Sequence, residues 1–270
     1  MDDASKAEID SLIRRVAELE AELLRRDALL NEVEQRKNEY LQNVAHQLTA
    51  PINAIKMNIE SLSDNAIAIK RKQVLLRSIY SQGTILVHLI KNFSLMSHLE
   101  ADHELEGFRE QPASVDLFRL CINLCNDFQP MGEYRSLKII TDDKSFERFK
   151  PPTVHVIKNL VAQVIYNLLE NAVKYSDKGS TITISVDLFP SFVKLNIENQ
   201  GIPIGPEEIG RVFGRGIRGE NAVALHPSGT GIGLFIAQRI MQIHKGRIEL
   251  KVNGRKTVFS VILPAKTQKP

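Results

Sequence analysis

Between Ile9 and Val44, apolar residues recur on a 4-3-4-3 spacing. Ile9, Leu12, Val16, Leu19, Leu23, Leu30, Val33, Tyr40 and Val44 hold the series, and Arg26 and Lys37 fill its two remaining places. A sustained seven-residue repeat makes a narrow seam that is buried only against another helix. The flanking Glu18, Glu20, Glu22 and Arg25 are charged, so a single amphipathic helix lying on a globular core fits poorly. The pattern predicts a coiled coil about 54 Å long at about 1.5 Å per residue. The charged seam positions favour one register, and the expected assembly is a parallel homodimer.

The helical pattern continues through YLQNVAHQLTAPINAIK, Tyr40 to Lys56, where His46 and Pro51 stand five residues apart. A proline inside a helix costs about 3 kcal/mol, because it lacks an N–H and collides with the preceding turn. Pro51 removes the hydrogen bond to the Gln47 carbonyl and so loosens the helix one turn past His46. SLSDN, Ser61 to Asn65, reads as a turn. Leu75, Ile79, Leu86, Ile90, Phe93 and Met96 then predict a second helix reaching about residue 104. A short connection makes the two helices an antiparallel pair, and two such hairpins from a dimer form a four-helix bundle.

From about residue 112 the texture changes. Helical stretches are expected over Val115 to Phe128 and Thr153 to Tyr175, and a strand over Leu137 to Thr141. TITISVD, FVKLNIEN, GRIELKV and KTVFSVIL are alternating and rich in β-branched residues. Strands and helices in this order predict an α+β sandwich, a sheet covered on one face by helices.

Composition narrows the function classes. A chain of 270 residues that is 43% apolar and 25% charged has an ordinary soluble make-up, and a net charge of +3 is too small to argue for nucleic acid or an acidic membrane. Cys121 and Cys125 lie in an apolar helical pattern and read as a buried face rather than a metal site. No apolar run reaches the 18 or more residues of a membrane span, and Met1 is followed by acidic, polar sequence. A soluble, cytoplasmic chain is expected.

Three motifs carry chemistry. In HPSGTGIGLFIAQRI, Gly229, Gly231 and Gly233 alternate just before an apolar helix beginning at about Ile232. Glycines and the first amides of a helix make an anion site, although a flexible loop before a helix looks the same. No Lys-Ser/Thr follows, which excludes a Walker loop, and no strand precedes, which speaks against a dinucleotide fold. In QVIYNLLENAVKYSDKGS, Asn167, Asn171 and Lys174 share one helix face. Amide oxygens suit Mg²⁺, which binds few protein groups plus nucleotide phosphates, and Lys174 adds charge for those phosphates. Plain solvated residues are the alternative, but asparagines are poor helix formers. In IENQGIPIGPEEIGRVFGRGIRGENA, Asn199 ends a strand before a stiff turn at Gly201 and Pro203. Its side chain can pair with an exocyclic amine such as that of adenine. Phe213 and the loop Gly214 to Ser228, with Arg215 and Arg218, read as a mobile lid or as plain surface loop.

The order NLLENAVKYS, NQGIPI, RVFGRGIRG, GTGIGL resembles the sensor histidine kinase family, and HQLTAPINAI is similar to its phosphoacceptor box. The likeness runs from about Asn38 to Pro264. It implies a coiled-coil signalling helix over 1–38, a dimerisation and phosphotransfer hairpin over 39–106, an ATP-binding α/β sandwich over 112–266 of the type shared with type II topoisomerases and chaperone ATPases, and a tail over 267–270. By this resemblance ATP and Mg²⁺ are the cofactors, His46 is phosphorylated, and Gln47 holds the position of a base. Asn167 and Asn171 hold Mg²⁺ and phosphate, Lys174 meets phosphate, Tyr175 packs near the base and Asn199 reads adenine. Gly201, Pro203 and Ile204, then Arg215 and Arg218, then Gly229, Thr230, Gly231, Ile232, Gly233 and Leu234 complete the nucleotide site. The implied partners are a second copy, a response-regulator receiver domain, and an upstream sensor domain or partner protein.

Three positions depart from the family pattern. The residue after the histidine is usually acidic and takes the imidazole proton; here it is Gln47. Ala50 lacks the Thr or Asn side chain that orients a dephosphorylating water, which implies weak phosphatase activity. Asn199 stands for the adenine-reading Asp, and Pro203 for a glycine, which implies weaker nucleotide binding. These departures leave a second reading open, a catalytically weak nucleotide-binding dimeric scaffold that regulates a partner by conformation. General base catalysis contributes typically about 10²–10⁴-fold, so Gln47→Glu is expected to accelerate autophosphorylation in a labelled-ATP time course. No acceleration would refute that role for residue 47.

Overall fold

The computed structural model describes residues 3–63, 67–99, 110–148, 153–226 and 230–265. It divides at residue 46 into two compact units. The first lies within helix α1, Asp3–Leu62. Among the described seam residues, Val16 is 53% exposed and Leu23 62%. His46 ends this unit with an exposed side chain.

The second unit begins with the rest of α1, which runs through Pro51 without a break and buries the proline ring. Helix α2, Ile69–Leu99, completes a helical hairpin, tied to α1 where Asn58 Nδ2 donates to Ser78 Oγ at 2.9 Å. The expected extension of this helix to residue 104 lies outside the described residues. Among the described residues, no helix is long and apolar enough to cross a membrane.

The α/β domain opens with β1, Ala113–Asp116, and α3, Leu117–Tyr134. Asp116 caps α3 by accepting from the Arg119 backbone N–H at 3.0 Å, a contact worth about 1 kcal/mol. Leu117, Leu120, Cys121, Leu124, Cys125 and Phe128 form its buried stripe. Burial raises both thiols, Cys125 to about 11, so the cysteines are packing residues, as their spacing suggests. Next come β2, Lys138–Thr141, the short α4, Asp143–Glu147, and β3, Thr153–Val156. Here the sequence-based expectation of one helix from Thr153 is corrected. Thr153–Val156 pairs antiparallel with β1, burying Val154 and Val156, and the helix starts only at Lys158. The same pairing makes residues 115 and 116 strand rather than helix, because alternating β-branched residues suit a half-buried ladder.

Helix α5, Lys158–Tyr175, is followed by β4, Thr181–Leu188, and β5, Phe192–Gln200. Then come α6, Glu220–Leu225, α7, Gly233–Ile243, β6, Arg247–Asn253, and β7, Lys256–Pro264. The five-stranded sheet has the order β2-β4-β5-β7-β6, antiparallel except for the parallel pair β2–β4. Ile182, Ile184, Val186, Leu195, Ile197, Phe259 and Val261 fill the core, and α5 packs between α3 and α7. Polar pairs occupy alternate strand positions: Ser260 Oγ donates to Asn196 Oδ1 at 2.7 Å, and Lys194 pairs with Glu249 at 3.1 Å.

One imidazole joins α7 to the start of α5. His244 Nδ1–H donates to Ile240 O at 2.8 Å, and Nε2 accepts from the Ile157 N–H at 3.1 Å. Accepting at Nε2 needs the neutral ring, and burial lowers its pKa below the usual 6.5. The unfolded chain therefore takes up a proton near pH 6.5 that the folded chain refuses. This share of stability is present above that pH and is lost as pH falls. Urea unfolding is expected to show it as a fall in stability between neutral pH and about pH 5. His244→Leu should have a shallower fall; an equal fall would contradict the assignment.

Candidate functional site

The site is built around α5, whose Asn167, Asn171 and Lys174 follow one another at turn spacing on the face toward an open cleft. Asn167 is 1% exposed, a position where an amide is tolerated only when fully hydrogen-bonded. Its Nδ2 donates to Gly233 O at 3.0 Å, which fixes the start of α7 against the middle of α5. Asn171 is half-buried, and its side chain makes no hydrogen bond among the described residues. Lys174 Nζ lies 3.8 Å from Glu170 Oε1, both side chains lining the cleft.

Tyr175 and Asn199 supply another wall. Asn199, 5% exposed, stands opposite Thr257 in the β5–β7 register, and both side chains reach the cleft, with Phe259 two residues along β7. Gly201 is not in this wall but behind it. Its N–H donates to Arg255 O at 2.8 Å, and the Ile202 N–H donates to Tyr175 O at 3.1 Å. The backbones cross so closely that a Cβ on Gly201 would sit 1.9 Å from Tyr175 O. Arg135, which the sequence did not single out, caps the end of α5 by donating to the carbonyls of Val173, Lys174 and Ser176.

The segment after the turn is only partly the irregular lid expected. Phe213 is buried edge-on against Phe259, so it belongs to the core, and α6 is a helix. Glu208 ties the two ends together, accepting from the Gly205 N–H at 2.9 Å and the Glu220 N–H at 2.8 Å. Asn221 Nδ2 donates to Pro203 O at 3.0 Å. Arg218 lines the cleft while its guanidinium donates to Ala222 O at 2.9 Å and to His226 O. His226 Nε2 lies 3.1 Å from Lys174 O, with its ring edge-on to Tyr175. Burial foremost, then the charges of Lys174, Arg135 and Arg218, keeps that imidazole's pKa low.

The glycine loop enters beneath this segment. Gly231 has φ +67°, and a Cβ there would come 2.7 Å from the Gly216 carbonyl carbon, so two backbones meet where only glycine fits. Thr230, Gly231, Gly233 and Leu234 line the cleft, as do Pro203, Ile204 and Gln47. Ile232 is buried in the core instead, Arg215 is exposed away from the lining, and Gly229 lies outside the described residues. Leu89 and Asn92 of α2 also line the cleft. The sequence marks them only as members of a helix, since their approach to α5 is a tertiary event.

The residues fit a triphosphate with its cation. Among the described residues no cluster of three His, Cys, Asp or Glu side chains is present to hold a metal. The donors at hand are the amide oxygens of Asn167 and Asn171, beside a glycine cradle that a Cβ would fill. Such a set leaves most of a cation's coordination to water and phosphate, the usual habit of Mg²⁺.

Comparison with known proteins agrees with this geometry. Residues 36–102 match the model of the His Kinase A (phospho-acceptor) domain, and residues 157–267 that of the histidine kinase-, DNA gyrase B-, and HSP90-like ATPase. The heme sensor protein HssS of Staphylococcus aureus (strain MSSA476) is 28% identical over 241 residues, covering 87% of this chain and 48% of HssS. The chain thus spans about half the length of the curated relatives it matches. In fold, it is similar to the Acinetobacter baumannii histidine kinase AdeS, with a TM-score of 0.53 at 21% identity over 82% of this chain and 98% of that one. Full-length ShkA in complex with AMPPNP gives 0.55 at 17% identity, covering 86% and 47%. ThkA in complex with the response regulator TrrA gives 0.51 at 19%, covering 86% and 63%.

Gly201→Ala is expected to destabilise the domain by about 1–3 kcal/mol or more, since carbonyl and Cβ cannot share that space. Gly210→Ala, whose Cβ meets open space, should stay within about 0.5 kcal/mol of the parent in the same thermal melts.

Proposed function

The chain belongs to the histidine kinase family, carrying its phospho-acceptor and ATPase domains, and from that premise we propose that it transfers the γ-phosphoryl group of ATP to His46. The observation that carries this reading is the cleft, which gathers Asn167, Asn171 and Lys174 of α5 with Asn199 and the Gly231–Gly233 loop. Asn199 and Thr257 face the adenine, with Tyr175 beside it. Lys174, Arg218 and the loop amides take the phosphates. The oxygens of Asn167 and Asn171 would hold Mg²⁺, whose charge would offset that of the phosphates. Phosphoryl transfer asks the protein mainly for positioning and charge neutralisation, which this set supplies.

In the transfer, the bond between the γ-phosphorus and the β–γ bridging oxygen breaks, an N–P bond forms at a ring nitrogen of His46, and ADP leaves. Gln47 orients the ring but cannot accept its proton, which passes to solvent. The phosphoryl group then moves to an aspartate of a response-regulator receiver domain. ThkA, similar in fold, has been seen in complex with the response regulator TrrA.

The exposed seam of α1 and the exposed apolar residues of the hairpin, Ile52, Val74 and Tyr80 among them, favour a homodimer joined through coiled coil and bundle. Signals enter along α1 from a sensor domain or a partner protein. A cytoplasmic location follows within this reading, because ATP and receiver domains are found there.

Incubation with Mg²⁺ and γ-labelled ATP is expected to leave an acid-labile, alkali-stable label on the chain, absent from His46→Ala although that variant still binds nucleotide. Binding without any label in the parent would favour the scaffold reading instead.

A further inference from the structure

Asn167 is engaged beyond what its own domain supplies. Its Oδ1 accepts from Gln163 Nε2 at 3.0 Å and from Asn92 Nδ2 at 3.2 Å. Its Nδ2 donates to Gly233 O at 3.0 Å and to Asn92 Oδ1 at 3.3 Å. A primary amide has two lone pairs and two protons to offer, so all four are in use, two of them with Asn92.

Asn92 belongs to α2 of the hairpin, not to the α/β domain. The cluster extends one turn further. Gln163 Nε2 also donates to Asn92 Oδ1 at 2.9 Å, and Gln163 Oε1 lies 3.1 Å from His88 Nδ1. His88 in turn stacks on Tyr166. His88 and Asn92 on α2 thus face Gln163 and Asn167 on α5, each pair four residues apart, one helical turn against another. Asn171, the other asparagine of the site, has no such contact among the described residues.

We propose that this amide cluster is a latch, in which docking of α2 withholds the Asn167 oxygen from the cation. Mg²⁺ with its nucleotide then engages both asparagines only after Asn92 has withdrawn. The proposal rests on the reading of Asn167 as a Mg²⁺ ligand given above. A cation must take an oxygen lone pair directly, at about 2.1 Å. Both lone pairs of this oxygen already receive N–H groups, so one donor has to leave. Gln163 shares a helix with Asn167 and stays; Asn92 is the donor that a movement of the hairpin can remove. A slide of one turn, about 5.4 Å, takes it out of reach. Docking and metal binding therefore oppose each other, and by linkage the bound metal–nucleotide loosens the hairpin as much as the hairpin weakens the metal. In this way a displacement of α2 is converted into availability of one oxygen atom.

The test uses Asn92→Ala in the full chain, since alanine preserves the helix. Affinity for a non-hydrolysable ATP analogue is measured by calorimetry with excess Mg²⁺ and again with EDTA. The ratio of the two affinities is expected to rise about thirtyfold in the variant, the effect of releasing two ordinary hydrogen bonds. Asn92→Ser, whose single, shorter hydroxyl restores only part of the amide's bonding, should fall between. An unchanged or smaller ratio would overturn the latch. So would equal tightening in both conditions, which would mean that α2 merely shades the cleft. If neither parent nor variants bind the analogue at all, the nucleotide reading itself fails and the latch with it, a result distinct from the other two.

Discussion

The burial of an amide-bearing helix face governs this structure. α5 lies between α3 and α7 with most of its surface in the core, yet it presents Gln163 and Asn167 at 2% and 1% exposure. Unpaired, each would cost about 1–3 kcal/mol by mutational measures. The fold meets that demand from three directions: a carbonyl at the start of α7, a neighbouring glutamine on the same helix, and side chains of the hairpin. Because this amide ties down the start of α7, Thr230 and Gly231 just before it stand at the cleft.

The charges of the cleft follow a similar economy. Lys174 leans on Glu170, and Arg218 turns its guanidinium toward carbonyls of α6 and the residue after it. A partly buried cation needs a partner, and in this conformation the chain itself provides one. On the reading proposed above, a polyphosphate would take over cations already held in place, which would leave little side-chain ordering to be done on binding.

Much of this was legible in the sequence, and the exceptions share a cause. TITISVD announces itself because alternate residues face core and solvent, KTVFSVIL by its run of β-branched and apolar residues, and the stripe of α3 is carried by its apolar period. The small β1–β3 ladder was not legible, because four-residue strands placed directly before helices blend into the helical pattern on either side. α6 escaped notice because none of its six residues is buried and it has no apolar stripe. About half of the cleft-lining residues were named from their motifs, whereas Glu208, Asn221, Thr257 and Arg135 act through tertiary hydrogen bonds or register that no local spacing encodes. The contact between Asn92 and Asn167 joins residues 75 apart in the chain and leaves no trace in either helix's periodicity.

The guanidinium of Arg135 has a mechanical meaning. It grips the last carbonyls of α5 from the turn after α3, where Ser136 adopts a left-handed backbone with φ 57°. That end of the helix is anchored to the scaffold behind it and cannot swing when something enters in front. The carbonyl of Lys174 is thus held twice, by the Arg135 guanidinium from behind and by the His226 ring from the cleft side, so the rear wall is braced across its own thickness.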